Sequence, residues 1–75
     1  MKSILLSRFA EKWPSPIVAR EKVSEFSGGI LNPRSMANAD CRGDGPAGKI
    51  SIGRKVAYPV DSLVAWMAER MQGAE

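Results

Sequence analysis

Apolar and polar positions follow different periods along this chain, and the changes of period divide it into elements. Ile4, Leu5, Leu6 and Phe9 form a short apolar stripe that Trp13-Pro14-Ser15-Pro16 terminates, because two prolines two positions apart forbid a continuous helix. Residues 1–16 therefore read as an N-terminal arm, either loosely ordered or laid against the core through Trp13. From Ile17 the period becomes helical: Ala19, Val23 and Phe26 recur at i, i+4, i+7, with Arg20, Glu21, Lys22, Ser24 and Glu25 on the other faces. That spacing predicts a helix of about two and a half turns. Ser27-Gly28-Gly29 stops it, since glycine readily takes the left-handed conformation of a helix C-terminus. Ile30 and Leu31 then make a short connection pinned to the core by their side chains.

The next helix opens at Asn32, whose side chain can accept from an otherwise unpaired N–H, and at Pro33, where a missing N–H costs nothing. It is expected to run to about Cys41, with Met36 and Ala37 turned inward and Arg34, Ser35 and Asn38 projecting together on one side. Residues 42–48 hold three glycines and a proline and read as a loop. Ile50, Ile52, Val56 and Tyr58 then alternate with Lys49, Ser51, Lys55 and Ala57, which predicts two strands joined around Gly53-Arg54, the apolar set facing inward. A lone two-stranded hairpin is marginal, so it has to pack on the helices. After Pro59, the residues Val60, Leu63, Val64, Met67 and Met71 fall at i, i+3, i+4, i+7 and i+11 with Trp66 on the flank, a stripe that makes this last helix the main source of core. Residues 72–75 are expected to fray. The fold class is α+β, three helices and one two-stranded hairpin within residues 17–72, and its helix, glycine turn and second helix follow the helix-turn-helix arrangement.

A chain of 75 residues carries one small core, which argues against a catalytic pocket. With 44% hydrophobic and 25% charged residues it has a soluble globular composition, and its apolar runs stop far short of the roughly 20 residues that span a bilayer. The apolar start is interrupted by Ser7, Arg8 and Glu11 before it makes a signal peptide, so a cytoplasmic protein without membrane contact is expected. A single cysteine, Cys41, and no histidine give neither a disulfide nor a nitrogen and sulfur ligand set for a metal, and no cofactor is expected. Ser35 and Asp40 lack a histidine or lysine base, so no enzymatic role follows from them.

The net charge of +3 is unevenly spread. Between Asn32 and Pro59, Arg34, Arg42, Lys49, Arg54 and Lys55 stand against Asp40 and Asp44; from Val60 onward acids outnumber bases. The basic excess thus falls on the Asn32 helix and the hairpin, the footprint expected of a phosphate-binding surface, with a solubilising scatter of charge as the alternative; the working reading is a DNA-reading helix beside a basic wing. Tyr58 and Trp66 sit on packing patterns, so Trp13, Tyr58 and Trp66 read as core in preference to a stacking platform for single strands.

The ordered series Val18–Phe26, Asn32–Asn38, Gly43-Asp44-Gly45-Pro46, Ile52–Tyr58 and Asp61–Met67 resembles small winged helix-turn-helix proteins of the MerR-like excisionase and AlpA type, carried by phages and other mobile elements. The resemblance implies a second helix in the major groove of double-stranded DNA with Arg34, Ser35 and Asn38 at the bases, Arg42 on a phosphate, and Arg54 and Lys55 on a wing. It implies a transcriptional regulator or an excisionase-type recombination directionality factor, with integrase or RNA polymerase as further contacts; the limited specificity of so small a reader predicts action on repeated or palindromic half-sites as a homodimer or cooperative array. The alternative is a protein-interaction adaptor such as the small subunit of a phage packaging machine.

Overall fold

The structure, a computed structural model, describes residues 8–70. The expectations for Ile4, Leu5, Leu6, Met71 and residues 72–75 lie outside that range. A helical turn, α1, occupies residues 8–12 of the described range and ends before Pro14, with the Trp13 N–H on the Ala10 carbonyl at 3.3 Å. Trp13 then folds back: its indole N–H donates to the Ile17 carbonyl at 2.8 Å and its ring meets Phe26 edge-on at 5.5 Å. Phe9 stacks on the same Phe26 at 5.7 Å, so three aromatic rings close this side of the core.

Pro14 and Pro16 lie in a run of bends that no helix can cross, and the residues after them enter a strand instead of a helix. Ile17–Ala19 form strand β1, and the helix expected from Ile17 begins only with a 3-10 turn at Arg20–Lys22 and continues as α2, Val23–Phe26. The apparent i, i+4, i+7 spacing ran across two elements: Ala19 belongs to the strand, Val23 and Phe26 to the helix. Strand pairing decides the matter, because β1 lies antiparallel to β3, Lys55–Pro59, with Val18 opposite Tyr58. With β2, Ile50–Ile52, on the other side of β3, the expected two-stranded hairpin is one part of a three-stranded antiparallel sheet of order β1-β3-β2.

The register corrects a second expectation. Residues directly opposite in an antiparallel ladder share a face, and Ile50 lies opposite Ala57, Ile52 opposite Lys55. Both isoleucines therefore point away from the face that carries Val18, Val56 and Tyr58, and Ile52 is exposed. A two-residue turn at Gly53-Arg54 fixes that register, and a strand's period of 2 sends the whole set to one side.

Two further helices complete an α+β domain: α3, Pro33–Arg42, and α4, Val60–Arg70. Among the described residues there are thus four helices, counting the turn α1, where three were expected. Val18, Val23, Phe26, Met36, Tyr58, Val60, Leu63 and Met67 form the core, each contributing about 1.5–3 kcal/mol relative to exposure. The α4 stripe is buried at Val60, Leu63 and Met67 as its spacing predicts, and the helix is anchored where the Val60 N–H meets the Pro16 carbonyl at 2.9 Å. Among the described residues no helix is long and apolar enough to cross a membrane.

The link from α2 to α3 is held by serines, and Ile30, expected to pin it, is exposed. Buried Ser27 donates its hydroxyl to the Val23 carbonyl and accepts from the Leu31 N–H, both at 2.8 Å, while Ser24 donates to the Leu31 carbonyl at 2.8 Å. Gly28 and Gly29 have φ of 70° and 92°, which lets the Gly29 N–H reach back to the Ser24 carbonyl at 2.7 Å.

Candidate nucleic-acid interface

Helix α3 is built to present one polar side. Asn32 caps it as its sequence predicts, extended at φ −140° and ψ 158°, its side chain accepting from the Ser35 N–H at 2.8 Å, with Pro33 first in the helix. At the other end Gly43, in the left-handed conformation at φ 79°, gives its N–H to the Asp40 carbonyl, and the Asp44 N–H reaches the Ala39 carbonyl at 2.8 Å. That is a Schellman closure, which satisfies the last carbonyls. Met36 and Ala39 are buried, so Arg34, Ser35 and Asn38 are left in solvent on the opposite side.

The β2–β3 turn has glycine at its first central position with φ 61°, the arrangement of a type II′ hairpin turn. It carries Arg54 and Lys55 to the tip, both exposed. The tip and the start of α3 share a cleft of about 170 Å³ lined by Arg20, Glu21, Pro33, Arg54, Lys55 and Val56. Two of the predicted cations, Arg54 and Lys55, are thereby brought to the first residue of the helix that bears Arg34, Ser35 and Asn38. Arg42 stands at the far end of α3, about 12 Å along its axis from Arg34. Lys49 precedes β2 at the end of the hairpin remote from the turn, about 10 Å from Ile52.

Two of these cations are already engaged. Lys55 holds both oxygens of Glu21, at 3.0 and 3.1 Å, and Arg42 donates to Asp44 at 3.1 Å. All four side chains are exposed, and such pairs are worth about 0–1 kcal/mol. Arg34, Lys49 and Arg54 make no ion pair among the described residues.

Behind the cleft lies a polar cluster that sequence reasoning missed. Arg20 donates through Nε to the Tyr58 hydroxyl at 3.0 Å and through Nη2 to Asp40 Oδ2 at 2.5 Å; the Tyr58 hydroxyl donates to the same oxygen at 2.6 Å. One carboxylate thus ties α3 to the central strand and to the turn after β1. The Asp40 side chain is 7% exposed and that of Arg20 25%. Burial pushes the Tyr58 phenol above its ordinary range, and the hydrogen bond to Asp40 adds to the shift. Its own hydrogen bond to Tyr58, with Asp40 beside it, raises Arg20 against the opposing effect of burial. Gly45 completes the cluster, since a Cβ there would lie 1.9 Å from Asp40 Oδ1. A signal was present in the sequence: Asp40 follows Met36 and Ala39 on the buried stripe of α3, where a carboxylate requires partners.

The loop after α3 is fixed from the other side by α4. Trp66 donates its indole N–H to the Asp44 carbonyl at 2.6 Å, and Arg70, lying 4.1 Å over the Trp66 ring, donates to the same carbonyl at 3.1 Å. Another groove, about 640 Å³ beside Phe9, Trp13 and Phe26, contains none of the predicted site residues. No cluster of three metal-binding side chains occurs among the described residues, and Cys41 is an exposed free thiol. What the surface offers is hydrogen-bond donors on a rigid frame: guanidinium, ammonium, hydroxyl and amide groups. No family model, curated protein or solved structure matches the chain, so its function has to follow from these residues.

Proposed function

We propose that this protein binds double-stranded DNA as a winged helix-turn-helix protein of the MerR-like excisionase and AlpA type. In this reading α2, the Ser27–Leu31 turn and α3 are the helix-turn-helix, and β2 and β3 are the wing. Arg34, Ser35 and Asn38 address bases in the major groove, where arginine suits guanine and asparagine suits adenine at about 1–3 kcal/mol of discrimination per good contact. Arg54, Lys55, Arg42 and Lys49 hold phosphates. The observation that carries the reading is the shared cleft: one face of α3 is buried, the opposite one carries three uncommitted polar side chains, and two wing cations border its first residue. The biological role is that of a phage or mobile-element transcriptional regulator or an excisionase-type recombination directionality factor, acting on repeated or palindromic half-sites with two or more copies bound.

The adaptor reading has less support. The apolar stripe of α4 that a protein partner would use is consumed by the core at Val60, Leu63 and Met67.

Gel-shift titration against genomic fragments at two salt concentrations tests the proposal. Wild type binds a subset of fragments, with log K falling by about 0.9 per phosphate contact against log salt. Arg34→Ala loses roughly ten- to hundredfold on its preferred site and little on other DNA, as removal of a base contact should. No binding by wild type at low salt would refute DNA recognition altogether.

A further inference from the structure

The cleft between α3 and the β2–β3 turn has a floor that charge patterning did not select. Arg20 lines it, and two of its nitrogens are spoken for by Tyr58 and Asp40. A guanidinium carries five N–H groups in a rigid fork, so donors remain for a ligand, and a quarter of the side chain is exposed. Because Asp40 and Tyr58 already hold its rotamer, Arg20 gives up little further freedom on gripping an anion. Arg54 and Lys55 add two cations at the rim, one of them without a carboxylate among the described residues. About 170 Å³ suits one phosphate group and is too small for the ordinary ligand pocket of a folded domain.

Lys55 shows how the cleft is kept in the free protein. Both oxygens of Glu21 sit on its ammonium at 3.0 and 3.1 Å, the position two phosphate oxygens would take. The pair is open to water, Lys55 being 71% and Glu21 56% exposed, so a stronger anion displaces it easily. We propose that this cleft seats a single backbone phosphate of duplex DNA on Arg20, Arg54 and Lys55, and that Glu21 occupies Lys55 as a stand-in which the phosphate must displace. The inference rests on the DNA-binding reading and adds two residues to it, Arg20 as the fixed donor and Glu21 as the competitor. Glu21 thereby lowers affinity for any backbone, so that contacts from α3 weigh more in the choice of site.

The test uses the full chain and a short duplex taken from a bound fragment, with affinity measured over a series of salt concentrations. Glu21→Gln, an exposed change remote from the core, binds about two- to fivefold tighter, with a steeper salt dependence. Lys55→Ala weakens binding, lowers the salt slope by about 1, and abolishes the effect of Glu21→Gln in the double variant. Arg20→Lys keeps the charge but loses the fork, and binds about three- to tenfold weaker; circular dichroism establishes that it is folded. If wild type binds the duplex and Glu21→Gln does not tighten it, or tightens it equally in the Lys55→Ala background, the phosphate seat is wrong and DNA binding stands. If no variant binds duplex, both fall.

Discussion

The chain uses the same pairing of cation and carboxylate in two environments. Arg20 and Asp40 meet at 2.5 Å behind the cleft with Tyr58 closing the triangle, whereas Lys55 and Glu21 meet at 3.0 Å and Arg42 and Asp44 at 3.1 Å in open solvent. In the buried cluster the Asp40 carboxylate, only 7% exposed, relies on Arg20 and Tyr58 in place of water, so removing one partner leaves a charge poorly compensated. In the exposed pairs water replaces either partner at almost no cost. The first arrangement therefore holds α3 against the sheet, and the second leaves cations in a state from which a phosphate can take them.

Asp40→Ala tests this difference where it is largest. It leaves the Arg20 guanidinium without its carboxylate and the Tyr58 O–H without its acceptor, and a well-buried pair broken in this way costs about 3–5 kcal/mol. Because Arg20 keeps some contact with water, we expect about 2–4 kcal/mol, a large share of the stability of so small a domain and enough to lower Tm by roughly 10 °C or more. Thermal melts followed by circular dichroism give the answer; a loss below about 1 kcal/mol would mean that the cluster contributes no more than a surface pair.

Most of α3 and α4 is legible in the sequence. Asn32, Pro33, Met36 and Gly43 are local signals, and the stripe of Val60, Leu63 and Met67 repeats often enough to be unambiguous. The failures share a cause: they depend on a neighbour distant in sequence. Ile17–Ala19 carries a helix-compatible spacing, and only its pairing with Lys55–Pro59 makes it a strand. Ile52 looked inward because the apolar residues alternate on both sides of Gly53-Arg54, but a two-residue turn puts it opposite Lys55. Of the candidate site, the exposed face of α3 and the hairpin tip were readable by type and spacing. Arg20 and Glu21 were not, since their roles exist only where the turn after β1 meets the wing, 38 positions from Tyr58 and 34 from Lys55 respectively.

Tyr58 sharpens the comparison through pH. Burial raises its phenol above the ordinary value of 10.0, so the folded state favours the protonated form. Below about pH 10 the phenol is protonated in both folded and unfolded chains and its contribution is fully present. As pH climbs past 10 the unfolded chain ionises first, unfolding is drawn forward, and the stabilisation is lost by the time the folded phenol itself titrates. The chain has one tyrosine, so phenolate absorbance follows this group directly. We expect a midpoint above 10 in the folded protein and a fall in urea-unfolding free energy over the same window. Tyr58→Phe removes the phenol-dependent part of that fall and costs about 1–2 kcal/mol at neutral pH, because Arg20 Nε and Asp40 Oδ2 each lose a partner.

Asp44→Asn lies at the small end and separates a residue's backbone from its charge. The backbone carbonyl of Asp44 receives the Trp66 and Arg70 donors, and its N–H closes α3 on the Ala39 carbonyl. None of those bonds involves the carboxylate, which meets only Arg42 at 3.1 Å among the described residues. Neutralising it therefore leaves the loop in place, and the change in unfolding free energy stays within about 0.5 kcal/mol. If Arg42 reaches a phosphate, the same substitution tightens DNA binding about twofold and steepens its salt dependence, since the competing carboxylate is gone. A stability loss above about 1 kcal/mol would show that the exposed pair, like the buried one, holds the fold; unchanged stability and unchanged affinity together would remove Arg42 from the interface.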